Sequence, residues 1–441
     1  MTAKGKPSGG PLSVAVLIEL VRSPSSGGQV KCWERFAEAA AEVSPAELGV
    51  DLTLYVLGDR HRVESLSPHV RFVSLRPVIS TASISRKGGV DVSDIAPHHA
   101  ELARLLPRHE VWHVTHTLAF ASTAVRLSRR QRRGARERSA GSAGMVGSIH
   151  TDVPAVTEAF VRAVVDRRLR RVPVLDSFDA AARCAALVRR RRDRILNACD
   201  RIMVATPSQQ RELAAVVGPE RLRHLGRGID RHRFRPDASA RAELSGHGVP
   251  RHRTTVLFAG RVDASKRVLL LAEAVRRLRD EGSPVHLVVA GTGPDAAAVS
   301  ALLGPDVTLL GALPQEQLAR VCAGCDIFAF PSLTETIGNV VGEAMACGVP
   351  VVLPNGTRTN QWLSSPGEDG LLVDGDTPGA WATALAGLVD APAARAAMGR
   401  RALATSLARH RGWGQVLTDD LLPVWRSVAA DQARAWSGAG G

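Results

Sequence analysis

Two cations follow an apolar run in the stretch TTVLFAGRVDASKR: Arg261 and Lys266. The chain holds 57 Lys plus Arg, yet Lys266 is the only lysine after Lys87. TTVLF reads as a strand and SKRVLLLAEAVRRLRDEG as a helix, so both cations fall just past a strand end, near a helix start. Helix N-termini favour anions. Arg supplies a planar fork and Lys a compact charge on a flexible stem, a pair suited to a diphosphate. A second group lies in FPSLTETIGNVVGEAMACGVPVV, residues 330–352. Glu335 and Glu343 stand eight residues apart, the first in a polar loop and the second inside a helix. The backbone amides around Ile337, Gly338 and Asn339 face a ligand from that helix start. Glu343 has apolar helical neighbours, and a buried carboxylate needs partners such as the hydroxyls of a ribose. Two histidines, His116 in HVTHTLAF and His150 in GSIHTD, sit at strand ends, and Asp152 follows the second.

Loops of this kind need a scaffold that collects strand ends. Short apolar runs alternate with amphipathic ones along the chain. The segments 13–21, 51–58, 70–75, 111–116, 144–150 and 200–207 read as strands, and 30–43 and 155–199 as helical. A polar stretch rich in Gly and Pro follows at 227–253, after which the pattern restarts with TTVLFAG, PVHLVVAG, VTLLG, DIFAFPS, VPVVLPN and DGLLVDG. Continuous apolar strands separated by helices predict parallel sheets covered on both faces. The expected organisation is a Rossmann-like domain over 1–237, a second over 238–410, and a helical tail, 411–441, packing back on the first domain. In such sheets ligands sit at the carboxyl ends of strands.

Composition narrows the partners. A hydrophobic content of 45% and a charged content of 23% describe a globular chain of two domains. The net charge of +14 favours anionic partners. Arg clusters at 126–138, 166–171 and 189–194 read first as solvated helix faces and second as a peripheral contact with an anionic membrane. A single Tyr and 4% aromatic residues suit base stacking poorly, so nucleic acid is not expected as a partner. Six scattered cysteines form no zinc-ligand pattern; the CxxC of Cys322 and Cys325 reads as a helix end, and free thiols fit a reducing compartment. The N-terminal apolar run reads as a buried strand, and no run is long enough to span a bilayer, so a cytoplasmic location is expected.

PSLTETIGNVVGEAMACGVPVV resembles the E-x7-E signature of the retaining glycosyltransferases of family 4. Other segments resemble that family in the same order: SSGGQ (25–29), RGIDRHRFRPD (227–237), AGRVDASKR, AGTGPD and DGLLVDGD. The resemblance implies an α/β GT-B fold, two Rossmann-like doubly wound domains facing a central cleft. It implies a nucleoside-diphosphate sugar as donor, UDP ahead of GDP, with neither metal nor cofactor in the site. Arg261 and Lys266 then stabilise the leaving diphosphate, a case of electrostatic preorganisation. Glu343 binds the ribose. Glu335, Ile337, Gly338 and Asn339 hold the donor sugar, Gly291 belongs to the donor loop, and Gly28 lets backbone amides approach the phosphates. His150 joins the catalytic group with Arg261, Lys266 and Glu335, while His116 and Asp152 are acceptor-side candidates. The implied reaction retains anomeric configuration, with same-face attack assisted by the leaving phosphate.

Two departures bear on substrate. Ile337 stands where family members commonly carry Phe. PNGTRTNQWLSSPGEDG (354–370) stands where many have a Gly-Gly-x-x-Glu stretch. The leading expectation is transfer to a small soluble acceptor in specialised metabolism. The alternatives are a membrane-surface enzyme with a lipid acceptor, and a GT-B epimerase or hydrolase of nucleotide sugars.

Overall fold

The computed structural model describes residues 10–23, 28–81, 92–138, 142–150, 153–154, 157–158, 161, 180–335 and 337–437. By internal contacts the chain divides into two units, Met1–Gly226 with Gly414–Gly441, and Arg227–Trp413.

Among the described residues the first unit holds an eight-stranded sheet. Its strands are β1 (Leu12–Val21), β2 (Val50–Leu57), β3 (Arg62–Ser67), β4 (Val70–Leu75), β5 (Val111–Val114), β6 (Gly144–Ser148), β7 (Arg201–Val204) and β8 (Leu222–His224). The order is β3-β4-β2-β1-β5-β6-β7-β8. Every pairing is parallel except β3 with β4. β1, buried at every residue but its two ends, takes the centre, with Val14 paired to Leu52 on one side and Val111 on the other. Strands β3 and β8 escaped the sequence reading. RVESLS carries no apolar run because it is an exposed edge hairpin strand, and LRH is too short to show a pattern. The expectation of a purely parallel sheet is corrected at that edge. Of the helical stretch expected over 155–199, the helix Ala180–Ala198 is described and most of the remainder lies outside the described residues.

The second unit holds β9 (Thr254–Ala259), β10 (Val285–Ala290), β11 (Val307–Gly311), β12 (Ile327–Ala329), β13 (Val351–Pro354) and β14 (Gly370–Val373). Their order is β11-β10-β9-β12-β13-β14, all parallel. β9, β10, β12 and β13 are buried at every residue, which is why they read as unbroken apolar runs.

Each sheet reverses direction once in strand order. The chain leaves β1 toward β2 and returns on the other side with β5; it leaves β9 toward β10 and returns with β12. Ligands of doubly wound sheets bind outside the carboxyl ends at such switch points.

The unit boundary differs from the expected 237/238. The polar segment from Arg227 is packed rather than free: Ile229 N donates to Arg411 O at 2.9 Å, and Phe234 is buried. Gly228 lies so close to Trp413 that a Cβ there would fall 2.5 Å from its backbone. The linker expected near 238–250 is packed as well: it forms the helix Ala240–Gly246, and Ala240, Leu244 and Val249 are buried in the second unit.

The tail belongs to the first unit. Its helix Leu422–Ser437 buries Trp425 completely, and Trp425 Nε1 donates to His113 Nδ1 at 3.0 Å. Because the indole can only donate, His113 Nδ1 is bare and its proton sits on Nε2. Burial pushes the His113 pKa down to about 3, so the ring stays neutral. Arg201 pairs with Asp431 at 2.8 Å, and Arg426 donates to Leu48 O at 2.9 Å. Trp425→Phe is expected to lower stability by about 1–3 kcal/mol, because His113 keeps a buried acceptor without its donor. Urea unfolding of the full chain checks it.

Candidate active site

In the second unit the loops after β9 and β10 are zipped together by their backbones. Gly260 N donates to Ala290 O at 3.0 Å, Val262 N to Thr292 O at 2.9 Å, and Asp295 N to Val262 O at 3.0 Å. The glycines of AGTGPD allow this approach. A Cβ on Gly291 would lie 1.8 Å from Gly260 O, and one on Gly293 would lie 2.2 Å from Val262 O. The β9 loop turns on Asp263, whose Oδ1 accepts from Ser265 N at 3.0 Å and from Lys266 N at 3.3 Å. Helix Val268–Asp280 starts directly after it.

This turn presents the two expected cations differently. The Arg261 guanidinium is the more exposed and lies 3.4 Å from Asp263 Oδ2 and 3.4 Å from Ser265 Oγ. Lys266 is 16% exposed in its side chain and its ammonium pairs with the Glu335 carboxylate, itself 19% exposed. Ser332 Oγ lies 3.3 Å from the same Glu335 oxygen. Residues 69 positions apart are thus joined across the second switch point, one from the β9 end and one from the β12 end.

Helix Asn339–Ala346 begins at Gly338, which adopts φ 70° and carries no side-chain cap. Its first-turn amides lie on the loop that bears Glu335, an arrangement that favours an anionic or hydroxyl-rich ligand. Asn339 and Glu343, four residues apart, share one face of this helix. Glu343 is partly buried.

The unusual segment 354–370 has a clear task here. Residues Arg358–Trp362 form a 3-10 turn closed by a capping box of Thr357 and Asn360. Trp362 Nε1 donates to Ile337 O at 2.9 Å, and the Thr359 methyl would stand 2.9 Å from a Cβ on Gly338. Thr359 and Trp362 therefore hold the Glu335–Asn339 loop from behind. Sequence reading missed both; the available signal was a Trp inside a polar segment.

In the first unit His116 follows β5 and His150 follows β6. Both rings line one small cavity of about 20 Å3, with Thr115, Thr117, Ser148 and Arg192. Ser148 Oγ lies 2.8 Å from His150 Nε2, and Trp33 packs tilted on the His150 ring. Burial, then the charge of Arg191, pushes the His116 pKa down to about 4, so its ring is neutral near pH 7. Gly28 is exposed and opens the helix Gly28–Glu42, with open space where a Cβ would stand. Asp152 lies outside the described residues.

A buried carboxylate also escaped the sequence reading. Glu19, hidden in the apolar run LSVAVLIELV, is fully buried at the carboxyl end of β1. Its Oε2 accepts from Leu118 N at 2.7 Å and its Oε1 from Ala121 N, at the start of the helix Ala119–Arg138. Burial raises its pKa from 4.5 to about 7 against the opposing effect of those amides and of Arg191.

Among the described residues no group of three or more His, Cys, Asp or Glu is placed to hold a metal, and no helix is long and apolar enough to cross a membrane.

Residues 253–391 match the family model of the glycosyl transferases group 1. The chain is similar to a D-inositol 3-phosphate glycosyltransferase of Kineococcus radiotolerans, 34% identical over 262 residues, covering 54% of this chain and 60% of that protein. It is 36% identical over 219 residues to the protein of the same name in Rhodococcus opacus, covering 46% of this chain and 48% of that one. The chain thus spans less than two thirds of the length of either relative. Among solved structures, sucrose-phosphate synthase from Thermosynechococcus elongatus superposes with a TM-score of 0.65 at 20% identity, covering 97% of this chain and 98% of that one. HepE of Anabaena, in complex with UDP and glucose, gives a TM-score of 0.61 at 15% identity, covering 96% and 99%. The fold is GT-B, two Rossmann-like α/β domains, as expected from the sequence.

Proposed function

We propose, from the match of residues 253–391 to the glycosyl transferases group 1 model, that the chain transfers a sugar from a nucleoside-diphosphate sugar to a small acceptor, with retention and without a metal. The observation that carries this reading is the Lys266–Glu335 pair at the second switch point. Lys266 and Arg261 are fixed positive charges for a departing diphosphate, and such charges act without reorganising at the moment of reaction. Glu335 and the amides from Ile337 to Asn339 hold the donor sugar, and Glu343 takes the ribose. The Lys266 ammonium pairs with the Glu335 carboxylate, so the two side chains stand together to meet phosphate on one side and sugar hydroxyls on the other. Gly28 and Gly291 leave room for the phosphates and the donor loop. His150, His116 and Asp152 belong to the sugar and acceptor side.

UDP is the nucleotide to test first, since the similar HepE structure holds UDP and glucose. For the acceptor, the relatives' names point to a phosphorylated polyol of the inositol 3-phosphate kind. A cytoplasmic setting fits the six free cysteines. A second reading, a lipid acceptor at a membrane surface, rests on one observation: Arg126, Arg129, Arg130, Arg183, Arg189, Arg190 and Arg194 are exposed on two helices of the first unit, with Leu187 exposed beside them. It predicts sedimentation with anionic vesicles at low salt and release at high salt.

The test is thermal unfolding of the pure chain with UDP, GDP, dTDP or ADP at ~1 mM. A nucleotide at 100 times its Kd adds about 2.7 kcal/mol to stability. One nucleotide, expected to be UDP, raises the Tm above the others. No shift with any nucleotide overturns the donor reading. Free sugar or an isomer released without acceptor would mark a hydrolase or epimerase instead.

A further inference from the structure

The first sheet has its own switch point, between β1 and β5, and two ionisable side chains meet there. Glu19 comes from the β1 end and His116 from just past the β5 end. The register of β1 slips between Leu17 and Val21, and Glu19 sits in that irregularity at φ 50°. A non-glycine residue with positive φ is held there by its surroundings, and such strain clusters at functional sites. The slip turns a carboxylate into the interior, where two amides at the helix start donate to it.

His116 faces it. His116 Nδ1 is buried without a hydrogen-bond partner and stands 3.6 Å from Glu19 Oε2. Thr117 Oγ1, on the same cavity wall, is also buried without one. Beside it the β5 end is held in place: Leu17 O accepts from Thr115 N at 3.2 Å and from Thr115 Oγ1 at 2.8 Å, and Thr115 O accepts from Gln29 Nε2 at 3.0 Å. These contacts fix the residue before His116, and the Glu19 carboxylate is the charged group 3.6 Å from its Nδ1. A carboxylate needed only to cap a helix is adequately replaced by an exposed Ser, Thr or Asp; a fully buried Glu beside an orphaned imidazole nitrogen is a costlier arrangement.

We propose that Glu19 is a positioning residue for His116. Its carboxylate takes the Nδ1–H of His116, fixing the ring with a bare Nε2 toward the cavity, where Nε2 accepts a hydrogen bond from a hydroxyl of the substrate. The substrate part of this statement rests on the glycosyl-transfer reading above; the tautomer part does not. The groups facing Glu19 are His116 from the β5 end, Arg191 from helix Ala180–Ala198, and the amides of helix Ala119–Arg138; Arg191 is itself held by Ser122 Oγ at 2.9 Å. With the Glu19 pKa near 7 and that of His116 near 4, the imidazole stays neutral while the carboxyl changes state. Above pH 7 the carboxylate accepts from Nδ1–H. Below it the carboxylic acid donates to Nδ1, the ring proton moves to Nε2, and Nε2 no longer accepts.

The experiment is a long-range proton–nitrogen NMR spectrum of ring-15N-histidine protein from pH 5.5 to 8.5, with His116→Ala to assign the signal. His116 is expected as the Nδ1–H tautomer at pH 8.5, shifting toward Nε2–H as pH falls through about 7. In Glu19→Gln that transition is absent. A His116 ring with bare Nδ1 at pH 8.5, or the same titration in Glu19→Gln, overturns the proposal. Wild type alone decides the first point, so a Glu19→Gln that fails to fold does not protect the idea. Acceptor kcat/KM read beside it should fall about tenfold per pH unit below 7 in wild type and lose that limb in Glu19→Gln. Within the His116→Ala background, Glu19→Gln should cost no further activity; an additive loss would assign Glu19 a separate structural role. A UDP-induced melt shift that persists in Glu19→Gln separates failure here from failure of the donor reading, whose residues lie in the other unit.

Discussion

Lys266→Ala lowers turnover by at least ~10²-fold while the chain stays folded. The ammonium is more enclosed than the guanidinium of Arg261 or Arg267 on the same loop, and its partner Glu335 comes from the β12 end, so the side chain reaches across the switch point rather than into solvent. In the proposed transfer such a group acts on charge that develops as the glycosidic bond to phosphate breaks. Its removal is therefore read in kcat as well as in kcat/KM. The fold survives because the turn rests on Asp263 and on the backbone bonds to the β10 loop, none of which uses the Lys266 side chain. With Glu343 on the ribose, as proposed, Glu343→Ala is expected to give a loss of similar order, with weaker nucleotide binding. Steady-state kinetics with the nucleotide sugar chosen by the melt, beside circular dichroism of each variant, make the measurement. Turnover near that of wild type in both variants sinks the site assignment.

The parts of the molecule that were legible are those where one physical demand dominates. Strands covered on both faces must be apolar throughout, so β1, β2, β9, β10 and β13 stood out. Lys266 stood out because the chain otherwise writes cations as Arg. What escaped is where two demands overlap. Glu19 is one carboxylate in a ten-residue apolar strand, and only the register slip shows that it points inward. Strand β3 needs no apolar face because it lies at an exposed edge. The 227–253 stretch has the composition of a linker, yet Ile229 and Phe234 anchor it to the second unit. Thr359 and Trp362 act through the loop behind the expected site residues, so no motif spacing carries them.

Gly291→Ala is expected to destabilise the second unit by about 2–5 kcal/mol, through steric overlap and backbone strain together. The residue has φ 152°, and its Cβ would lie 1.8 Å from the Gly260 carbonyl oxygen, well inside contact distance. Neither atom can give way alone. Gly260 is held by its own N–H to Ala290 O, and Val262, two residues on, is bonded to Thr292 and Asp295. The overlap must therefore open the zipper between the β9 and β10 loops, or shift both. Gly282→Ala separates the two causes, because Gly282 has φ 87° but no atom within 4 Å of its Cβ position. It bears the conformational cost alone, about 1–2 kcal/mol. Urea unfolding of both variants should thus rank Gly291→Ala clearly below Gly282→Ala. Equal losses would mean that the loops accommodate the methyl group and that the close approach is not what requires glycine at 291. The same displacement reaches Arg261, the residue after Gly260. Any Gly291→Ala that still folds should therefore also bind nucleotide more weakly, whereas Gly282→Ala, at the far end of helix Val268–Asp280, should bind it like wild type.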